Sequence, residues 1–116
     1  MAHVRAGDSE PDSQHVELAV EVFAMLADVT RVRLILALRD HVELPVNRLA
    51  ELVDKAAPAV SQHLAKLRMA RMVTTRQDGT RVYYRLSDEH AVELVHAAVL
   101  QAEHTVESTP RHHRQA

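Results

Sequence analysis

The sequence predicts a mainly α-helical domain with one β-hairpin, a winged helix-turn-helix in the order ααααββα. Three observations support this fold class. Residues 45–68 contain two short amphipathic stretches separated by a tight connection. Residues 72–86 then change to β-branched and aromatic residues on both sides of an Asp-Gly pair, which is a strong hairpin signal. Residues 92–106 carry valines and an alanine in alternating steps of three and four, which is typical of a helix that pairs with another helix.

The composition is that of one soluble domain. At 116 residues, 47% of them hydrophobic, the chain is long enough for a modest core. No apolar run approaches the roughly 18 residues of a membrane span, and the N-terminus lacks a signal-peptide core, so no membrane partner is expected. The absence of cysteine excludes disulfides and thiolate metal sites and suits a cytoplasmic protein.

The N-terminal part is predicted to be a flexible arm followed by two helices. Residues 1–13 are polar and form the arm, and the folded domain is expected to span residues 14–106. The first helix, residues 14–27, has apolar residues on more than one face, as expected of a helix buried by its own core and by a second chain. The second helix runs from Arg31 to about Arg39, is nearly all core, and is capped by Asp28 or Thr30. A connection with room for a short strand follows it.

The central pair of helices suits a helix-turn-helix. Pro58 is best tolerated in the first turn of a helix, so it fixes the start of the second helix near Ala57. Val60, Leu64 and Leu67 form one apolar stripe on that helix, and its polar residues face elsewhere. In a helix-turn-helix the second helix enters the major groove of DNA. An ordinary helical hairpin is the alternative on this stretch alone.

The distribution of charge favours a nucleic-acid partner. The whole chain has a net charge of −2. Residues 45–86 hold eight Lys or Arg against three Asp or Glu, a net of +5, and the rest of the chain holds six against thirteen, a net of −7. The basic residues are therefore concentrated on the segment expected to touch phosphate. A basic hairpin directly after a helix-turn-helix is a wing, and Arg76 and Arg81 flank its tip.

The predicted contacts to double-stranded DNA divide into two groups. Residues at the start of the second helix of this pair, the recognition helix, should contact base edges, where Gln suits adenine and Ser suits several acceptors. Arginines and a lysine should neutralise phosphates and give a steep dependence on salt. His63, in the recognition helix, is expected to approach DNA rather than metal. The predicted set is Arg48, Ala57, Pro58, Ser61, Gln62, His63, Lys66, Arg68, Arg76 and Arg81.

Three segments resemble the ArsR/SmtB family of bacterial metal-responsive regulators. They are residues 26–36 (LADVTRVRLIL), 59–67 (AVSQHLAKL) and 78–86 (DGTRVYYRL), and the resemblance covers roughly residues 16–106. It implies a homodimer that is joined by its first and last helices and binds an imperfect palindrome in operator DNA. It also implies that bound metal changes the shape of the dimer. The cysteine pair that arsenic- and lead-sensing members carry near residues 44–47 is absent, which excludes thiolate sensing.

The same resemblance implies a metal site on the last helix, which Ser87 or Asp88 is expected to cap. Nickel-, cobalt- and zinc-sensing members carry Asp-x-His, then ten residues, then His-x-x-His or His-x-x-Glu. Asp88, His90 and His104 match this pattern, but Gln101 does not, because a neutral amide oxygen is a poor ligand for these ions. His90 and His104 would lie on one face of the helix yet about 21 Å apart along its axis, so only an antiparallel partner helix can bring both to one ion.

Other donors could complete such a site. Glu103 lies next to His104, and further histidines lie in the arm and in the tail, residues 107–116, which is expected to be flexible. Nitrogen and oxygen donors with spare histidines suit Ni²⁺ or Co²⁺ better than a closed tetrahedral site, with Zn²⁺ as the alternative. The predicted ligands are Asp88, His90, His104, Glu103, His3, His112 and His113.

Two alternatives stay open on the sequence. One is a regulator of this kind that has lost or relocated metal sensing, as Gln101 would allow. The other is a small metal-binding carrier without DNA function, although the charge distribution and the wing argue against it. An enzyme is not expected, because the chain has no glycine-rich phosphate loop and no Ser/His/Asp set in a recognisable context. Whether an accessory protein supplies the metal response is not determined by the sequence.

Overall fold

The computed structural model describes residues 12–108 and contains five helices and three strands within them. The predicted order of helices and hairpin is confirmed, with one short strand added before the third helix. The predicted arm and tail fall mostly on residues outside this range, as do His3, His112 and His113. The elements are α1 (Ser13–Leu26), α2 (Val29–Asp40), β1 (Leu44–Pro45), α3 (Val46–Val53), α4 (Ala57–Met69), β2 (Val73–Asp78), β3 (Arg81–Leu86) and α5 (His90–Ser108).

Aspartates cap the first two helices. Asp12 Oδ1 accepts a hydrogen bond from the backbone N–H of His15 at 3.0 Å, so α1 begins one residue earlier than predicted. Asp28 Oδ1 accepts from the N–H of Arg31 at 2.9 Å, which makes it the cap of α2, while Thr30 lies in the first helical turn. Each cap satisfies an N–H group that has no partner within its own helix.

The turn between α3 and α4 is only three residues long. Asp54 ends α3 in the left-handed conformation with φ of 55°, a region that aspartate tolerates better than most residues. The N–H of Lys55 then donates to the carbonyl of Ala50 at 3.1 Å, which closes the helix end. α4 begins at Ala57 with Pro58 in its first turn, as predicted.

The hairpin forms a three-stranded antiparallel sheet with β1, in the order β1-β3-β2. Leu44 pairs with Tyr84, and Asp78 pairs with Arg81 at the end of the hairpin. Gly79 and Thr80 therefore form a two-residue tip, and Gly79 has a φ of +63°. The tip is displaced by one residue from the Asp-Gly pair that predicted it, because Asp78 is still part of the ladder.

The core is formed by one apolar stripe from each of α2, α3 and α4. Residues from the start of β2 and of α5 complete it. The fully buried side chains are Leu34, Ile35, Leu49, Val60, Leu64, Leu67 and Val73. The predicted stripe on α4 is thus confirmed residue by residue.

The first and last helices leave apolar side chains in solvent. α1 has no buried residue, and Val20 and Phe23 are each about 60% exposed. On α5, Val99 and Val106 are 43% and 48% exposed. Exposed apolar side chains that line two neighbouring helices are typical of a surface that another chain covers. Within residues 12–108, no helix combines the length and apolarity needed to cross a membrane.

We expect Leu64→Ala to lower the free energy of unfolding by about 2–5 kcal/mol, because the side chain is fully buried at the centre of the core. Urea denaturation at a fixed protein concentration measures this change, since the stability of a dimer depends on concentration. Met69→Ala is the matched control on the same helix. Met69 is 85% exposed, so its loss should change stability by less than about 0.5 kcal/mol. Equal effects of the two substitutions would contradict the assignment of the core face.

Candidate nucleic-acid interface and metal centre

The exposed face of α4 carries the residues that were predicted to read bases. Pro58, Ser61 and Gln62 are all exposed, while Val60 and Leu64 on the opposite face are fully buried. The helix is 13 residues long, or about 20 Å, and it stands clear of the rest of the domain on this side. A helix of this length with a small polar face fits the width of the major groove.

Basic residues extend this surface along α4. Lys66 and Arg68 are exposed in its last turns, and no carboxylate of residues 12–108 lies within 4.0 Å of either. On α3, Arg48 NH1 lies 2.8 Å from Glu51 Oε1, and both side chains are more than half exposed. Such an exposed pair is weak, so a phosphate can replace Glu51 as the partner of Arg48.

The wing holds Arg76 in a different way. Its Nε lies 3.1 Å from both carboxylate oxygens of Glu43, and a second guanidinium nitrogen also donates to Glu43. The guanidinium stacks over the ring of Tyr83, 4.7 Å from its centre. Hydrogen bonds from Arg76 lower the pKa of the Glu43 carboxyl and raise that of the guanidinium. Arg76 is therefore bound on the wing by Glu43, a residue that precedes β1.

Arg81 lies at the other side of the hairpin tip and is exposed. Its NH1 group is 3.5 Å from the hydroxyl of Tyr83, and this contact raises the pKa of the guanidinium. Arg76 and Arg81 thus contact the same tyrosine, Arg76 over its ring and Arg81 at its hydroxyl group. Of the two, Arg81 keeps its charge without a paired carboxylate among the described residues.

His63 contacts the start of α2 and is less exposed than Ser61 and Gln62. Its side chain is 24% exposed, and Nδ1 lies 3.1 Å from Arg31 NH1 and 3.9 Å from Asp28 Oδ1. One residue of an α-helix turns by about 100°, which carries the ring away from Gln62 and towards the start of α2. The structure thus gives His63 a contact within the domain, and its DNA contact stays a prediction.

The predicted metal ligands lie at the two ends of α5. Asp88 Oδ1 accepts a hydrogen bond from the N–H of His90, the first residue of α5, at 2.9 Å, so the carboxylate satisfies one N–H group at the start of the helix. His90 Nδ1 is 3.5 Å from Glu93 Oε1, and both side chains are more than two-thirds exposed. His104 and Glu103 are exposed near the other end.

One chain does not bring these ligands together. No three His, Asp or Glu side chains of residues 12–108 lie close enough to hold an ion. His90 and His104 belong to one unbroken helix, so their separation along its axis is about 21 Å. The donor types would suit Ni²⁺ or Co²⁺, and a site that combined both ends of the helix would need a second α5.

Sequence reasoning missed three residues of this surface. Glu43 and Tyr83 hold Arg76, and Arg31 holds His63. Arg76 is 33 residues from Glu43, and His63 is 32 from Arg31. Only the strand register, which places Tyr83 opposite both Arg76 and Pro45, could have indicated that Glu43, Tyr83 and Arg76 lie together. No local pattern in the sequence indicates the contact between Arg31 and His63.

Comparisons with known proteins identify relatives of the whole domain. The family model described as bacterial regulatory protein, arsR family, matches residues 28–75. The chain is 60% identical over 109 residues to the HTH-type transcriptional regulator KmtR of Mycobacterium tuberculosis, which covers 94% of this chain and 82% of that protein. These matches include every element of the helix-turn-helix.

Solved structures share the fold. The crystal structure of the AntR antimony-specific transcriptional repressor has a TM-score of 0.75 and 25% identity, over 93% of this chain and all of that one. The solution structure of a homodimeric winged helix-turn-helix DNA-binding domain from Mycobacterium bovis, a possible ArsR-family regulator, has a TM-score of 0.70 and 25% identity. It covers 85% of this chain and 91% of that one. The predicted winged helix-turn-helix is therefore confirmed.

We expect Glu43→Gln to strengthen binding to any DNA duplex, because it removes a negative charge beside the wing and releases Arg76 for phosphate. One added phosphate contact per chain should steepen the slope of log K against log salt by about 0.9 per chain. Fluorescence anisotropy across a salt series measures this slope. Glu17→Gln, on exposed α1, makes the same change in charge away from the wing and should leave the slope unchanged. An unaltered slope in Glu43→Gln would show that Arg76 already contacts phosphate in the wild type.

Proposed function

The chain belongs to the ArsR family of bacterial regulatory proteins, and we propose that it binds operator DNA as a homodimer and responds to Ni²⁺ or Co²⁺. It is a DNA-binding transcriptional regulator and not an enzyme. The observation that carries the proposal is the exposed polar face of α4 beside a basic wing, in a chain whose outer helices expose apolar side chains. The protein acts in the cytoplasm, where bacterial DNA lies.

The apolar surface of α1 and α5 supports the homodimer. A groove between these helices is lined by Phe23, Leu26, Leu94 and Val99, among other apolar residues. A second copy related by a two-fold axis buries this surface and adds the core that α1 lacks in one chain. The axis also places two α4 helices on one side of the dimer. They enter successive major grooves if their spacing is about 34 Å, one turn of DNA.

Eight of the ten predicted DNA residues then have a role, and Arg76 joins them when Glu43 releases it. Ser61 and Gln62 read base edges, and Ala57 and Pro58 allow the start of α4 to approach the groove closely. Lys66, Arg68 and Arg81 bind phosphates, and Arg48 joins them when it leaves Glu51. Because the surrounding chain is acidic, the dimer meets DNA with this one face.

Metal binding is proposed across the dimer interface. Asp88 and His90 of one chain and His104 of the partner subunit supply ligands to each of two symmetric sites. Glu103 substitutes for the donor that Gln101 cannot provide, and His3, His112 and His113 offer further imidazoles. Nitrogen and oxygen donors of this kind suit Ni²⁺ and Co²⁺, and Zn²⁺ is a weaker match. An ion that links two chains changes their relative position, and with it the spacing of the two α4 helices.

We expect Gln62→Ala and Arg81→Ala to weaken DNA binding in different ways. The probes are a duplex that the wild-type protein selects from a random-sequence pool and a scrambled duplex of the same length. Gln62→Ala should lower the affinity for the selected duplex about tenfold and the affinity for the scrambled duplex only slightly, because a base contact contributes about 1–3 kcal/mol. Arg81→Ala should weaken both alike and flatten the salt dependence by about 0.9 per chain. Equal losses of both variants on both duplexes would refute this division of roles.

We expect His90→Ala and His104→Ala each to abolish high-affinity Ni²⁺ binding, because each removes one ligand from both sites of the dimer. Isothermal titration calorimetry measures stoichiometry and affinity, and sedimentation confirms that the variants stay dimeric. His96→Ala is the control, because this exposed histidine lies on the same helix and points about 120° away from His90. Unchanged binding in both ligand variants would reject the site. A wild-type protein without any tight metal site would reject metal sensing itself.

A further inference from the structure

One guanidinium joins three elements of the DNA-reading half of the domain. Arg31 lies in the first turn of α2, where its backbone N–H donates to the cap residue Asp28. Its side-chain Nε donates to the carbonyl of Met25 at 2.6 Å, in the last turn of α1. Its NH1 group lies 3.1 Å from Nδ1 of His63, in the middle of α4. The side chain therefore ties the end of α1 to the recognition helix.

The chemistry of the pair fixes which atom donates. An arginine side chain carries only donors, so Nδ1 of His63 must accept the hydrogen bond and its ring proton lies on Nε2. The carbonyl of Met25 belongs to the last turn of α1 and has no partner within its own helix, so Arg31 satisfies it. Asp28 lies 3.9 Å from His63 and supplies the negative charge that this otherwise positive cluster needs.

His63 is adjacent in sequence to Gln62, so a contact that holds one directs the other. The side chains of an α-helix lie up to about 6 Å from its axis, and a rotation of about 10° therefore moves their ends by about 1 Å. Binding sites lose function when their side chains depart by more than about 0.5 Å or 10–20° from the productive geometry. The buried apolar stripe of α4 decides which face of the helix is exposed, and the contact of His63 adds a polar restraint on its remaining small rotation.

We propose that Arg31 and His63 are positioning residues for DNA recognition: their hydrogen bond fixes the rotation of α4 against α1 and α2, and so aims Ser61 and Gln62 at the base edges. His63 acts through Arg31 and does not touch DNA. The competing assignment is a direct contact of the ring Nε2–H with DNA. The two assignments use opposite nitrogens of the same ring.

Two substitutions separate these assignments. The amide oxygen of asparagine can take the place of Nδ1, whereas the longer glutamine side chain carries its amide to the place of Nε2. His63→Ala should weaken binding to the selected duplex by about tenfold, the loss expected for one hydrogen bond to a charged group. His63→Asn should restore affinity to within about threefold of the wild type, and His63→Gln should not. Binding to the scrambled duplex and the salt slope should stay unchanged in all three variants.

A double-mutant cycle gives an independent readout. Arg31→Lys keeps the positive charge but cannot hold Met25 and His63 together. If the two residues act through one hydrogen bond, Arg31→Lys with His63→Ala should bind no more weakly than the weaker single variant. Arg33→Ala, an exposed arginine two residues along α2, is the control and should leave selectivity unchanged. Circular dichroism and thermal unfolding at one protein concentration confirm that each variant is folded.

The outcomes are distinct. Rescue by asparagine together with a non-additive cycle supports the proposal. Rescue by glutamine and not by asparagine, or losses that multiply in the double variant, overturns it in favour of direct DNA contact. If Arg31→Lys proves unfolded, the asparagine and glutamine variants alone decide, because they leave Arg31 in place.

Discussion

The burial of one stripe of α4 against α2 and α3 determines how the rest of the molecule is used. Val60, Leu64 and Leu67 are fully buried, and they pack with Leu34 and Leu49 in the same core. Exposing these side chains to water costs free energy, so α4 cannot rotate to present its other face without disrupting the core. The opposite face of the helix is therefore permanently in solvent. The proposed base contacts of Ser61 and Gln62 follow from that choice of face.

Ion pairs then reduce the number of free positive charges on the exposed surface. The central segment is basic, but Glu43 and Glu51 each engage one of its arginines. The exposed Arg48–Glu51 pair contributes little to stability, so its main effect is to compete with phosphate for the guanidinium group. Glu43 competes more strongly for Arg76, because it binds that guanidinium through several hydrogen bonds. The domain thus presents fewer unpaired cations than its sequence suggests. This limits non-specific attraction to DNA and leaves more of the selectivity to the few residues that meet the bases.

Much of the fold could be predicted because it depends on local sequence patterns. The apolar spacing of α3 and α4, Pro58 at a helix start and the glycine of the hairpin tip each depend on neighbours in sequence. β1 has only two residues, too few to show a period, and its pairing with β3 became visible only in the structure. The contact of His63 with Arg31 was not predicted for a similar reason. Its partner, Arg31, is 32 residues away in the sequence, and a single histidine in a helical segment does not indicate which residue it will contact.

The candidate metal ligands show the same limit in another form. Asp88 and His90 stand at the start of α5 and His104 near its end, and the helix between them is unbroken. A single subunit therefore lacks a complete metal site, since neither end of the helix carries a full set of donors. An ion held between two chains is held only by the assembled pair, so the number of sites rises with the square of the chain concentration while the protein is scarce. In the proposed dimer, the metal response would therefore depend on the concentration of the regulator as well as on that of the ion.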